Sequence, residues 1–201
     1  MSFRARLGLL LLIGLAGCSA WQQPPLPVAD QVELAWLRGL DHWRLHGRIG
    51  VRGEEDNWHG GVRWDYRKGH DRLVVSGPFG QGGAVIEVWP NWIRIEGADG
   101  RIQVSSRPEQ LLEQVLGVAV PLPLLHYWVR GLPASGAAEV EYDAGGRLRR
   151  LRQKGWEIEY LEYRAVGDGV LPVKLVLSGP MGVRLKLIVD RWEIEVDSGH
   201  A

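Results

Sequence analysis

From Trp43 to Val196, apolar side chains return at every second position in one segment after another. Trp58, Gly60, Val62, Trp64 and Tyr66 share one face, with mostly polar residues between them. Ile93 with Ile95, Ile102 with Val104, and Trp156 with Ile158 and Tyr160 repeat the pattern, as do Val183, Leu185, Leu187 and Val189, then Trp192, Ile194 and Val196. A period of two puts successive side chains on opposite faces, so each segment reads as a strand with one buried and one wet face. Turn-forming clusters separate them: Gly69-His70-Asp71, Gly97-Ala98-Asp99-Gly100, Asp143-Ala144-Gly145-Gly146 and Gly167-Asp168-Gly169. Connections this short imply antiparallel hairpins.

Helical spacing interrupts the strands. Asp30 stands three residues before Glu33 in a capping-box arrangement, and Val32, Ala35, Trp36 and Leu40 follow on one stripe, predicting a helix from about 30 to 41. Ser106 and Glu109 form a second such box, with Pro108 in the first turn, an apolar stripe of Leu111, Leu112, Val115 and Leu116, and Gly117 placed to end the helix. Pro121 to Arg130 reads as another short helix. Many antiparallel strands with a few helices in their midst predict an α+β fold, one curved sheet wrapped on the helices as an open barrel and not a sandwich. Two tips look alike. Ser76-Gly77-Pro78-Phe79-Gly80 and Ser178-Gly179-Pro180-Met181-Gly182 each set a large apolar residue between proline and glycine, where a turn pushes it outward.

The N-terminus carries a different message. Arg4 and Arg6 precede an uncharged run, Leu7 to Gly17, too short for the roughly 20 residues a membrane-spanning helix needs. A charged start with a short apolar run is a secretory signal. Leu15-Ala16-Gly17-Cys18 resembles the bacterial lipobox, which predicts removal of residues 1–17 and acylation of Cys18 on both its thiol and its new amine. Cys18 is also the only cysteine, so this exported chain has no internal disulfide framework, and lipidation accounts for an otherwise free thiol. Ser19 follows where, by analogy, aspartate favours inner-membrane retention, so the outer membrane is expected. Residues 18–29, with Pro24, Pro25 and Pro27, read as an extended tether spanning roughly 30 Å. Residues 30–201 then form one domain.

Charge and motifs exclude several functions. Loss of Arg4 and Arg6 from the 24 basic residues leaves 22 against 24 acidic, a formal charge of −2 that argues against a nucleic-acid partner. No GxxxxGK[ST], HExxH, CxxC or GxSxG motif occurs. The six histidines lack metal-ligand spacing, and His42 and His46 straddle the predicted helix–strand boundary, so neither metal nor cofactor is expected. Glu157 with Glu159, and Glu193 with Glu195, alternate with apolar residues as on a solvated sheet face, and no enzymatic activity is expected. The run Arg147, Arg149, Arg150, Arg152 and Lys154 is open to two readings: contact with phospholipid headgroups or an acidic partner, or one wet strand face, the commoner case. Ten tryptophans against two phenylalanines suit sheet cores and apolar–wet boundaries.

Several segments together resemble the LolB family of outer-membrane lipoprotein receptors. They are Trp43-x-Leu45-x-Gly47-Arg48-Ile49, Trp64, Gly77-Pro78-Phe79-Gly80, Pro121-Leu122-Pro123, Tyr127-Trp128-Val129-Arg130-Gly131-Leu132-Pro133, Gln153-x-Gly155-Trp156-x-Ile158-x-Tyr160, Leu171-Pro172 and Trp192. The resemblance implies a half-open, unclosed antiparallel β-barrel with helices covering or plugging an apolar cavity. It implies a monomer that takes triacylated lipoproteins from the periplasmic carrier LolA and inserts them into outer-membrane phospholipid without nucleotide hydrolysis. It also implies that Gly77, Pro78, Phe79 and Gly80 form a membrane-insertion loop, with Phe79 where the family commonly has leucine. The alternative is a lipid-binding or scaffolding module of an envelope complex. A soluble version without Cys18 separates the two, because only a receptor takes cargo from the carrier.

Overall fold

The computed structural model describes residues 29–53, 57–77, 82–116 and 120–195. Helix α1 (Gln31–Arg38) precedes six strands: β1 (His42–Arg52), β2 (Asn57–Arg67), β3 (His70–Ser76), β4 (Gly83–Trp89), β5 (Trp92–Gly97) and β6 (Ile102–Ser105). Helices α2 (Pro108–Leu116) and α3 (Leu122–Trp128) follow, then β7 (Glu139–Tyr142), β8 (Leu148–Gln153), β9 (Trp156–Val166), β10 (Gly169–Ser178) and β11 (Arg184–Ile194). All eleven strands form one antiparallel sheet in the order β6-β5-β4-β3-β2-β1-β11-β10-β9-β8-β7. It is unclosed, with β6 and β7 as its edges, and the helices complete the α+β half-open barrel expected from sequence.

The seam between β1 and β11 sets the register. Trp43 and Leu45 lie opposite Tyr66 and Trp64 on one side and opposite Ile194 and Trp192 on the other. The alternation on β11 jumps three residues between Val189 and Trp192, and there the pairing slips between His46 and Gly47. This is a β-bulge, which keeps both apolar runs facing inward while bending the strand. Gly47 is required at the bend: a Cβ there would stand 2.2 Å from the Ile188 carbonyl oxygen.

Helix α1 starts as predicted, with the Glu33 N–H donating to Asp30 Oδ1 at 2.8 Å. The reciprocal half of the capping box is absent. The Glu33 carboxylate instead accepts from Arg147 Nη2 at 2.8 Å, and both residues are buried. Removing one partner of such a pair strands the other charge, at a cost of about 3–5 kcal/mol. The pair ties α1 to the β7–β8 turn, while the Trp36 ring lies where a Cβ on Gly169 would be. At α2 it is Ser105, not Ser106, whose hydroxyl accepts a backbone N–H, that of Arg107 at 3.0 Å. Gly117 lies outside the described residues.

One strand departs from the expected burial. Ile102 and Val104 are 54% and 62% exposed. Pairing of Ile93 with Ser105 and of Ile95 with Gln103 puts the polar residues of β6 on the inner face. Alternation fixes that two faces differ, and register alone decides which one points inward.

The end of the barrel where β1 begins is filled solid. Trp43 is fully buried and packs on Trp64, Tyr66 and Trp192 at centroid distances of 5.2–5.4 Å. Trp64 Nε1 donates to Asp71 Oδ1 at 2.8 Å, and His126 Nδ1 lies 3.8 Å from the other carboxylate oxygen. Burial raises the Asp71 carboxyl to about 7 and, with the nearby Arg130 charge, drops His126 to about 4, so between those values the two are neutral neighbours. Arg130, 3% exposed, donates to the carbonyls of Leu37 (2.9 Å), Leu40 (3.1 Å) and His126 (2.9 Å), clamping the end of α1 to α3. Tyr66 and Tyr127 lie beneath its guanidinium at 5.8 and 5.5 Å.

Two predictions follow from this packing. Gly47→Ala should lower stability by about 1–3 kcal/mol through overpacking at the bulge, read as a reduced urea midpoint. Between about 4 and 7 the folded chain holds a proton on Asp71 that the unfolded chain, at its ordinary 3.8, has released. Asp71 therefore makes stability fall as pH rises through that window, whereas His126 makes it rise between about 4 and 6.5. Asp71→Asn keeps an acceptor for Trp64 and removes only the falling contribution. Its urea midpoint relative to the parent should climb from pH 4 to pH 7, and a pH-independent difference would refute the buried acid.

Candidate functional site

The inner wall of the sheet is not equally covered along its length. On β1, Trp43 and Leu45 are fully buried, whereas Ile49 and Val51 are half-buried. On β2, Tyr66, Trp64 and Val62 are buried and Trp58 is half-buried. The same gradient runs from Leu73 to Val75 on β3 and from Val88 and Ile86 to Ala84 on β4. Four adjacent strands thus leave an apolar wall partly open at one end, which forms a mouth. On β11, by contrast, Leu185, Leu187, Val189 and Trp192 stay buried throughout, so the mouth belongs to the β1–β4 side.

Helices α2 and α3 pack apolar side chains into the same core. Leu111 and Leu112 are buried, Leu125 is buried and Leu124 half-buried. Helix α3 is firmly held through two segments that the sequence singled out. Trp128 Nε1 donates to Gln153 Oε1 (2.9 Å), and the same amide exchanges hydrogen bonds with the backbone of Ala134 (2.9 and 2.8 Å). Tyr160 Oη donates to the Trp128 carbonyl at 2.9 Å. The Tyr127–Pro133 and Gln153–Tyr160 segments are therefore two halves of one joint. Among the described residues no side-chain hydrogen bond ties helix α2 to the sheet, its Gln110 bonding only the neighbouring Arg107, so α2 is held by apolar contacts where α3 is pinned.

One hollow of about 460 Å³ lies on the outer face, lined by Arg48, Gly50, His59, Lys186 and Ile188 among others. Another, about 80 Å³, lies beneath α1 beside Arg130 and Tyr163, with room for two or three waters at about 30 Å³ each. Among the described residues no group of three His, Cys, Asp or Glu side chains could hold a metal ion. No described helix is long and apolar enough to cross a membrane.

The sequence-predicted site residues divide accordingly. Gly77 is buried at the end of β3, its N–H donating to the Gly82 carbonyl at 3.4 Å, so the chain leaves and returns at adjacent points of the mouth. Cys18, Pro78, Phe79 and Gly80 lie outside the described residues, as does the tether before residue 29. The matching tip after β10 is described: Met181 is 63% exposed, as turn chemistry predicts. The basic run resolves mainly into a wet strand face. Arg150 meets Glu141, Glu157 and Glu159, Arg152 meets Glu139 and Glu157, and Arg147 is the buried partner of Glu33.

Sequence placed Asp71 in a turn, whereas it lies on β3, and gave Arg130 no buried role. Asp71 shares the phase of Leu73 and Val75 on one strand, and a carboxylate in an inward phase marks a buried charge. Arg130 sits amid Trp128, Val129 and Leu132, another charged residue in apolar company. Trp43, Trp64, Trp128, Trp156 and Trp192 are all buried in the core.

Comparison with known proteins agrees with this architecture. The model of the family described as outer membrane lipoprotein LolB matches residues 41–192. The outer-membrane lipoprotein LolB of Chromohalobacter salexigens is 34% identical, over 98% of this chain and 94% of its own. That of Nitrosococcus oceani is also 34% identical, over 92% and 95% respectively. A solved structure of a DUF1329 family protein from Desulfovibrio piger shares the fold at a TM-score of 0.50 and 6% identity, covering 85% of this chain and 91% of that one. With the match extending over most of its length, this chain belongs to the LolB family of outer-membrane lipoproteins.

Proposed function

We propose that the domain accepts triacylated lipoproteins from the soluble periplasmic carrier LolA and delivers them into outer-membrane phospholipid, with no nucleotide and no covalent step. In this reading residues 1–17 are removed and Cys18 carries the lipid. Residues 18–29 tether a monomeric binding domain, 30–201, that faces the periplasm. The observation that carries it is the gradient of burial across β1–β4, which leaves Ile49, Val51, Val75 and Ala84 partly accessible beside the connection from Gly77 to Gly82.

The energetics favour a direct exchange. Three acyl chains present about 40 CH₂ groups, each worth about 0.8 kcal/mol on leaving water, so free diffusion of cargo is prohibitively slow. Transfer proceeds from one apolar surface to the next. The described core is well packed, so the cover over the mouth opens as cargo enters, and α2, which no side-chain hydrogen bond ties to the sheet among the described residues, is the element with least to lose by moving. Each acyl group that replaces a side-chain contact keeps the wall dry, which makes opening nearly level in free energy.

A soluble version lacking Cys18, mixed with carrier-bound lipoprotein, tests the receptor role. Cargo should move onto it, whereas a scaffolding or lipid-sensing module would leave cargo on the carrier. Phe79 serves the later step by entering the headgroup–acyl boundary. In the lipid-anchored protein Phe79→Glu should leave cargo acceptance unchanged and slow insertion by about tenfold or more, since burying such a ring contributes about 1.5–3 kcal/mol. Normal insertion by this variant in a proteoliposome assay would dismiss the loop's role.

A further inference from the structure

Ion-pair ladders neutralise most of the outer face of the sheet. Arg44 lies between Asp65 and Glu193, Arg72 and Arg94 flank Glu87, and Arg150 and Arg152 alternate with glutamates on β7 and β9. The corner where β1 and β11 meet the mouth end is different. Arg52 and Arg184 face each other directly across the seam, and Lys186 follows on the same face opposite Gly50. All three cations are exposed, and among the described residues none has a carboxylate within 4.0 Å. Glu54, Glu55 and Asp56, in the β1–β2 connection, lie outside the described residues. Like charges directly opposite on neighbouring strands destabilise a sheet, so this arrangement suits an external anion. The 460 Å³ hollow opens beside them, with Lys186 in its wall and Gly50 and Gly61 leaving the space.

The β10–β11 tip stands at the same end. Met181 holds φ 53, a left-handed conformation that a long apolar side chain rarely adopts, and it holds this while 63% exposed. A strained, solvent-facing apolar residue at a hairpin tip gains nothing for the fold. The β8–β9 turn packs alongside, where a Cβ on Gly155 would lie 3.8 Å from Pro180, and this places the exposed Lys154 next to Met181. An apolar tip with cations on the neighbouring turn and on the strand that follows it matches a phospholipid surface, with apolar atoms below the headgroups and ammonium or guanidinium groups on the phosphates.

We propose that the Met181 turn, with Lys154, Arg184 and Lys186 around it and the outer-face hollow beside them, is a second membrane-docking site. Met181 enters the headgroup–acyl boundary and the cations bind lipid phosphates. The site rests on the outer-membrane reading above but is separate from the Phe79 loop. Two points of contact fix the mouth's orientation to the bilayer, whereas one leaves the domain free to swivel on its tether.

The test uses the lipid-anchored protein with Met181→Cys carrying a polarity-sensitive fluorophore, since the chain's only other cysteine, Cys18, is blocked in the anchored form. In vesicles of phosphatidylethanolamine with phosphatidylglycerol, emission should shift to the blue and be quenched by acyl-chain spin labels. In phosphatidylcholine alone the shift should be smaller. Arg184→Gln or Lys186→Gln should each lower the inserted-to-lifted ratio by about fivefold. Water-like emission in every vesicle overturns the site. A parallel label at Phe79→Cys separates the failures: a dry label at 79 with a wet one at 181 removes this site and leaves the loop reading intact, while two wet labels remove both. If the charge variants slow uptake from the carrier and leave the 181 signal unchanged, the cations serve an acidic protein and the proposal is wrong.

Discussion

Because β1 hydrogen-bonds to both β2 and β11, the first and last strands of the domain lie at the middle of the sheet, and both edges come from the middle of the chain. A sheet built this way has no strand left to close it, so its apolar inner wall must be covered by what lies between the edges, namely α2 and α3. An edge is also an invitation to pair with other chains. Here β6 and β7 are only four residues long, and β7 carries Glu139 and Glu141 on its outer face. Incomplete closure, which is the basis of the proposed function, is thus kept safe by short and charged edges.

Stability is unevenly distributed along the barrel. At the closed end four closely packed aromatic rings, the Glu33–Arg147 pair and the three carbonyls held by Arg130 lock α1 and α3 to the sheet. At the other end the wall, apart from Trp58, is aliphatic and half-covered. Aliphatic contacts are non-directional and can be exchanged for an acyl chain at little cost, whereas buried charges and hydrogen bonds cannot be broken without stranding a partner. The chemistry of the two ends makes one rigid and leaves the other suited to the proposed exchange, in a chain whose sequence holds no P-loop motif.

The anchor and the fold solve different problems. A lipid on Cys18 would keep the domain near its membrane, but a tether sets distance and not orientation. In the proposed docking an exposed apolar tip such as Met181 would supply orientation, and most of the outer face remains a solvated network of paired charges.

Much of this was legible in the amino-acid chain. The period of two is a backbone property, so strands and their two faces could be read directly. Cap residues placed α1, and Gly69, Gly100, Gly146 and Gly167 marked turns that the structure builds with positive φ. The proposed signal and lipid site at Cys18 rest on linear motifs, which need no fold to be read. Tertiary structure decided what depends on partners distant in sequence. It turned Ile102 and Val104 outward, because register with β5 and not alternation chooses the face. It sent the Glu33 carboxylate to Arg147, 114 residues away, and not back to Asp30. It also paired Asp71 with Trp64 and His126, and left the wall open at β1–β4 alone. Periodicity carries local geometry, but contacts between distant segments depend on how the sheet folds over its helices, which no local pattern encodes.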